Sequence, residues 1–425
     1  MDCKVAKNLL LISFIAETFF ASYGLLAGGQ TAVVSVLYPS AGLILVFSLL
    51  FLPEARLKAP GNPGLRVIGI KLTLAGVMIF LAYITSRYWL FRIPIDPDYA
   101  DMLPVIKVMN ERFLNGHWKQ VYDPIAEIWN GARPIYLPAM WLPYSGAVLM
   151  KIDIRWVTVL CLLLSFGSFL YVLQIRKNSL YSYLLIAVAG MFFWWIFSRD
   201  DVHGLISLSE EGAVILYYVL LCFAVVSGNI YFIAIAASLC LLSRYSMIGW
   251  ILPFLLILIV QRKYKKSILF SLTGILFFLI LFLIPFGFSP VRQLLRLPSG
   301  YVSFAQRVWA DSPETFWLNL GLAKFFGRHH AAALHATLLL CSFILPVVFV
   351  LICLLQKRQK LNNVSLAALK LTLIIFYQFI DVPYGYLFYT SSFVSLTILG
   401  IFSPELSNRH RQAIVPDAPP PLKLR

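Results

Sequence analysis

Long apolar runs, separated by a few polar or basic residues, repeat along almost the whole chain. Runs of about 20 apolar residues have the length of a helix that crosses a hydrocarbon core. They fall near 8–28, 31–51, 67–89, 156–174, 180–198, 209–227, 229–245, 247–261, 267–288, 331–355, 366–382 and 385–402. The pattern predicts an all-α polytopic membrane protein with about twelve transmembrane helices. The runs near 229–245 and 247–261 are short, and the boundary between them, at Arg244-Tyr245-Ser246, is the least sharply marked. An outer-membrane barrel is excluded, because its strands would alternate apolar and polar positions.

Two segments, 90–155 and 289–330, are too long and polar for turns and are rich in Trp, Tyr, Pro and charge. Connections longer than about 12–15 residues are usually functional or disordered, and this composition predicts two large folded loops at the membrane interface. Ile135 to Met150 is apolar but broken by Pro138 and Pro143, which predicts a helix lying at the interface. The chain thus divides into an N-terminal helical hairpin (1–55), a membrane core holding both loops (56–330), C-terminal transmembrane helices (331–402) and a Pro-rich disordered tail (403–425). Lys4 and Lys7 before an apolar stretch imitate a signal peptide. Glu17 interrupts that stretch and no small-residue cleavage site follows, so a retained first helix is expected.

Composition acts mainly by exclusion. Of 425 residues, 60% are hydrophobic and 13% charged, against about 25% charged in soluble domains. A soluble enzyme and a secreted disulfide scaffold are excluded. Cys161, Cys222, Cys240, Cys341 and Cys353 lie within apolar runs without CxxC spacing and are expected as small core residues. The net charge of +16 sits in short clusters between apolar runs, so it reports membrane orientation and not a nucleic-acid partner.

With the N-terminus inside, the inner loops collect Lys4/Lys7, Arg56/Lys58/Arg66, Arg176/Lys177, Arg262/Lys263/Lys265/Lys266 and Lys357/Arg358/Lys360. The expectation is a multi-pass protein of the cell (inner) membrane, both termini cytoplasmic and both large loops outside. Most acidic residues fall on the outer side, and acidic residues contribute little to topology. Their gathering there points to an extracytoplasmic active site.

The first candidate is the run Asp96, Asp98, Asp101, directly after the third apolar run. Crowded, partly buried carboxylates can supply a general base near neutral pH. They can equally bind a divalent cation through oxygen ligands, or begin a helix as a solvated acidic turn. Downstream stand Gly116, Tyr122-Asp123-Pro124, Arg133-Pro134-Ile135-Tyr136-Leu137-Pro138 and Trp141-Leu142-Pro143-Tyr144. Residues 95–156 resemble the first extracytoplasmic loop of the GT-C superfamily of polyprenyl-phosphate-sugar-dependent glycosyltransferases, in its mannosyltransferase and arabinofuranosyltransferase-like branch. In that pattern an Asp after a span is followed by a short helix, a Gly, a Tyr and a Tyr/Pro-rich segment. Asp101, Gly116, Tyr122 and the Tyr136/Pro138 segment match it. The resemblance weakens toward residue 330. Two apolar runs precede the usual first one, so residues 1–55 receive no role from it, and Asp96 and Asp98 leave the identity of the base open.

Arg244 lies inside the long apolar stretch 229–261. A charge at membrane depth costs roughly 2.5–3.5 kcal/mol on insertion scales and marks a functional candidate. The resemblance implies a basic residue meeting the phosphate of the lipid donor, and the Arg fork suits two phosphate oxygens. Snorkelling at an outer hairpin is the structural alternative. Arg199-Asp200-Asp201-Val202-His203, with Glu210-Glu211, can complete the site, Arg199 and His203 as donor-phosphate contacts, or form a solvated loop of ordinary ion pairs. Tyr122, Tyr136, Trp141, Arg307 and Trp309 offer rings and a guanidinium to a sugar or acceptor, although interfacial aromatic belts have the same composition. His329, His330 and His335 have no ligand partner at helical spacing and read as interface histidines, and Asp381 as structural.

The resemblance implies an inverting membrane glycosyltransferase that moves a sugar from a polyprenyl-phosphate donor to a glycan or lipid acceptor. A transporter or flippase of lipid-linked sugars fits about twelve spans equally well, but such proteins place charges near the midplane and often carry paired repeats. A polysaccharide polymerase or ligase would place its dominant loop late in the chain.

Overall fold

A computed structural model describes residues 3–26, 31–55, 64–97, 100–128, 131–175, 180–356 and 361–406. Asp98, the basic residues Arg56, Lys58, Arg176, Lys177, Lys357, Arg358 and Lys360, and the expected tail from 407 onward lie outside the described residues. Fourteen helices carry the architecture: α1 Cys3–Leu26, α2 Thr31–Leu50, α3 Leu65–Arg92, α4 Met102–Leu114, α5 Arg155–Val172, α6 Leu180–Ser198, α7 Glu211–Ser227, α8 Ile230–Leu241, α9 Ile248–Val260, α10 Tyr264–Phe278, α11 Phe288–Asp311, α12 Ala331–Leu355, α13 Leu361–Gln378 and α14 Phe388–Leu406. Among the described residues the only β-pairing is a single bridge, Ile125 with Ala132.

Each of the twelve apolar runs became a helix. Eight helical stretches are long and apolar enough to cross a membrane, namely those of α1, α2, α3, α5, α6, α10 with its continuation to Phe286, α12 and α14. That is fewer than the twelve spans expected. α7, α8 and α9 are apolar but shorter. α13 stands outside the group because Asn362, Asn363, Lys370 and Gln378 dilute its apolar character.

α14 is the axis of the bundle, with its membrane-crossing window fully buried, whereas α3 and α10 turn most of theirs outward. The reason is in the side chains. α14 carries Thr390, Ser391, Ser392, Ser395 and Thr397, small residues that let neighbouring helices approach closely. Where no other partner is near, the hydroxyl bonds back into its own helix, as Thr397 Oγ1 does to the Phe393 carbonyl at 2.8 Å. α14 packs on α1, α5, α7 and α13, and α2 packs on α13. The first two helices therefore pack directly on the last two.

The expected interfacial helix at 135–150 is corrected to three short turns, Pro138–Trp141, Leu142–Tyr144 and Ser145–Leu149. Pro138 and Pro143 each lack the N–H that a continuous helix would need. Trp141 and Tyr144 are fully buried, and Asn110 Nδ2 of α4 holds the Trp141 carbonyl at 3.0 Å. The late polar segment is mostly the 24-residue helix α11, which begins after a break at Gly287.

Candidate functional site

The connections 93–154, 199–210, 242–247 and 379–387 meet at one end of the bundle. Their centre is Arg244, at the turn between α8 and α9. Its Nη2 donates to Glu210 Oε1 at 2.8 Å, and its Nε donates to Glu211 Oε2 at 3.1 Å. Nη2 also donates to Glu211 Oε2. Nη1 has no hydrogen-bond partner among the described residues. Glu211, at the start of α7, further accepts from Tyr377 Oη of α13 at 3.2 Å and from Thr390 Oγ1 of α14 at 2.5 Å. Three helices, α7, α13 and α14, thus fix one carboxylate, which fixes the guanidinium.

Glu210 is differently placed. Its Oε2 is buried without a partner. Burial raises its pKa, opposed by the Arg244 charge and reinforced by Glu211 and Asp101. The carboxylate of Asp101 therefore lies within electrostatic reach of this cluster. Tyr136 lies within reach of Asp101, Glu210 and Arg244 together, and Tyr301 of α11 within reach of Arg244 and Asp381.

Asp101 precedes the first turn of α4, and its carbonyl accepts from Val105 N–H at 2.9 Å. Its carboxylate does not cap the helix. No described side chain hydrogen-bonds it, it is half-buried, and that burial raises its pKa, its own backbone N–H partly opposing. A half-buried carboxylate with free lone pairs is poised to accept a proton. Asp96 stands at the preceding turn, where its carbonyl accepts from Ala100 N–H.

The other expected site residues divide between packing and surface. Tyr122 donates to the Tyr136 carbonyl at 3.1 Å and accepts from Trp141 Nε1 at 3.3 Å, and both rings pack on Phe286. Arg199 pairs with Asp201 at 3.2 Å on the exposed surface and lies over Trp195. His203 is buried, its Nδ1 accepts from Leu205 N–H at 3.1 Å, and burial lowers its pKa against the nearby Asp200. Asp200 spends both oxygens on the Ile206 and Ser207 N–H groups, at 2.7 and 2.9 Å. Arg199 and His203 therefore tie their own loop together rather than joining Arg244. Trp309 stacks on Phe316 at 3.9 Å inside a small satellite core, while Arg307 is exposed on α11. The structure brings Asp101, Tyr136 and Arg244 to one place and leaves Arg199, His203, Arg307 and Trp309 elsewhere.

Sequence reasoning missed Tyr377 and Thr390, hydroxyls at the ends of apolar runs whose only signal is their clustering near residues 377–390. It also missed that His335 Nδ1 and Asp381 Oδ2 pair at 2.8 Å, since 46 residues separate them. A cleft of about 330 Å³ lies beside Tyr122, between Lys119–Asp123 and the Ile284–Gln293 segment, and Asp101 and Arg244 do not line it. Among the described residues no group of three or more His, Cys, Asp or Glu side chains is arranged to hold a metal ion. Compared with known protein families, with curated proteins and with solved structures, the chain matches none of them.

Proposed function

We propose that this chain is a membrane glycosyltransferase that transfers a sugar from a polyprenyl-phosphate donor to a glycan or lipid acceptor on the extracytoplasmic face, in the manner of the GT-C superfamily. The observation that carries this reading is the pairing of roles at one end of the bundle. Asp101 is a half-buried carboxylate that no described side chain bonds, and it shares the Tyr136 environment with an anchored guanidinium. The basic inner loops support that orientation.

Asp101 accepts the proton of the acceptor hydroxyl as its oxygen bonds the anomeric carbon. The bond from that carbon to the phosphate oxygen breaks, and the electron pair leaves with the phosphate. Arg244 Nη1 faces the charge that develops there, with the rest of the fork held by Glu210 and Glu211. Two carboxylates beside one guanidinium would repel a phosphate if both were ionised. Burial pushes the Glu210 carboxyl's pKa up, against the pull of the Arg244 charge, which weakens that repulsion. A fixed cation and donor of this kind act strongly in a site that excludes water. Attack opposite the phosphate inverts the anomeric carbon, as the resemblance implies.

Membranes containing the overexpressed chain, supplied with radiolabelled polyprenyl-phosphate hexoses and pentoses, test this reading. Label entering lipid or polymer supports it, and no incorporation from any donor counts against it. A transporter or flippase of lipid-linked sugars is the alternative, favoured by one observation: Glu17 and Lys370 pair deep inside apolar helices. Donor translocation without transfer in reconstituted vesicles would select it.

A further inference from the structure

Lys370 and Glu17 lie mid-way along their helices, and both are fully buried. Lys370 Nζ of α13 donates to Glu17 Oε1 of α1 at 2.5 Å, to Ser391 Oγ at 2.6 Å and to the Ser391 carbonyl at 2.9 Å. Ser395 Oγ donates to Glu17 Oε2 at 2.7 Å. All three ammonium hydrogens and both carboxylate oxygens are therefore used. α2 closes over the pair through Gly42, where an added Cβ would stand 2.6 Å from Ile374 Cδ1 and 3.5 Å from Lys370 Cε. The same helix sends Tyr38 Oη to the Phe388 carbonyl at 2.8 Å.

These contacts share a target. Glu17, Lys370 and Tyr38 grip Phe388, Ser391 and Ser395 on one side of α14. From the same turns α14 presents Thr390 to Glu211 and Tyr389 to Trp195, both at 2.5 Å. In a bilayer, apolar surfaces give little drive for one helix to choose another, so small residues and polar contacts must specify the fit. A buried pair contributes selectivity more than stability, but removing one partner strands a charge.

We infer that the α1–α2 hairpin is a docking module recognised by the α13–α14 pair through the Glu17–Lys370 charge match, and that its docking positions the Arg244 site through α14. This assigns the hairpin a role that holds whatever reaction the site performs. It also makes Glu17, Lys370, Ser391 and Ser395 positioning residues, acting through Thr390 and Glu211.

The test is a double-mutant cycle on the full chain in lipid nanodiscs, Glu17→Gln, Lys370→Met and the pair together, read by amide hydrogen exchange. Each single variant should lose about a hundredfold of protection in α1, in 388–395 and at the 242–247 turn, since it leaves an uncompensated buried group. The double variant should recover most of it at all three places. Additive losses would overturn the recognition claim. Loss in α1 with wild-type protection at 242–247 would overturn the positioning claim. If a single charge removal prevents insertion, Ser395→Ala, which strands no charge, should loosen the same three segments to a smaller degree. Loosening confined to its own turn would overturn both claims.

Discussion

Arg244 and Glu210 meet at 2.8 Å, yet only one oxygen of Glu210 takes part. The other is buried and unpaired, while its neighbour Glu211 is satisfied by Arg244, Tyr377 and Thr390. Adjacent residues of one type thus hold different jobs. Glu211 anchors the guanidinium, and Glu210 keeps one buried oxygen without a partner among the described residues.

That difference is testable by substitution. Glu211→Gln should destabilise the protein more than Glu210→Gln, because Glu211 is fully buried and holds Arg244, Tyr377 and Thr390 together. The loss from Glu211→Gln is expected near the 3–5 kcal/mol typical of broken buried pairs, about 3 kcal/mol or more. Glu210→Gln should cost about 1 kcal/mol or less, since only one of its oxygens has a partner and an amide oxygen can still accept from Arg244. Thermal unfolding of the two purified variants in the same detergent decides the order.

Arg244→Ala and Arg244→Lys separate charge from geometry. Alanine strands Glu211 and should lower both stability and donor use. Lysine keeps the charge but cannot span Glu210, Glu211 and a phosphate with one planar fork. Its expected signature is near-normal melting with donor use reduced at least about tenfold, a loss of about 1.4 kcal/mol. Equal donor use by both variants and the native chain would remove Arg244 from the site.

The pH dependence follows from Asp101. Burial raises its pKa, and a base works only when ionised. Activity should therefore fall on acidification at a pH above the ordinary Asp value of about 3.9. Stability carries the opposite slope. The folded state holds this proton more tightly than the unfolded chain, so stability is lost as pH rises from the unfolded pKa through the raised one. Asp101→Asn should flatten that part of the stability profile, which melting curves between mildly acidic and neutral pH will show.

Gly212 sets how closely α7 can approach α5 beneath Glu211. A Cβ there would stand 2.9 Å from the Thr158 carbonyl oxygen, which cannot move aside without its helix. Gly212→Ala should cost about 1–3 kcal/mol by overpacking, and differential scanning fluorimetry against the native chain measures it.

The membrane helices were legible because their signal is local, a run of apolar side chains as long as a bilayer is thick. Asp101 and Arg244 stood out for the same reason, as charges at the edge of or inside such runs. The hydroxyls that hold Glu211 were not legible, since Tyr377 and Thr390 lie more than 130 positions along the chain from Arg244 and look like ordinary helix-end hydroxyls. Glu17 was read only as a break in a signal-like stretch, and nothing local linked it to Lys370, 353 residues later. Trp141 and Trp309 show the converse. Their aromatic character suggested a sugar platform, and the fold spends it on packing.

Sugar transfer with Asp101 as its base is tested most directly by one comparison. Native chain and Asp101→Asn, at equal expression, should be assayed with whichever labelled polyprenyl-phosphate sugar the native membranes use. No described side chain depends on the Asp101 carboxylate, so melting at neutral pH should stay within about 1 kcal/mol. Transfer should fall by at least about a hundredfold, the lower range for general-base catalysis. Full transfer by a normally folded Asp101→Asn variant would contradict the account.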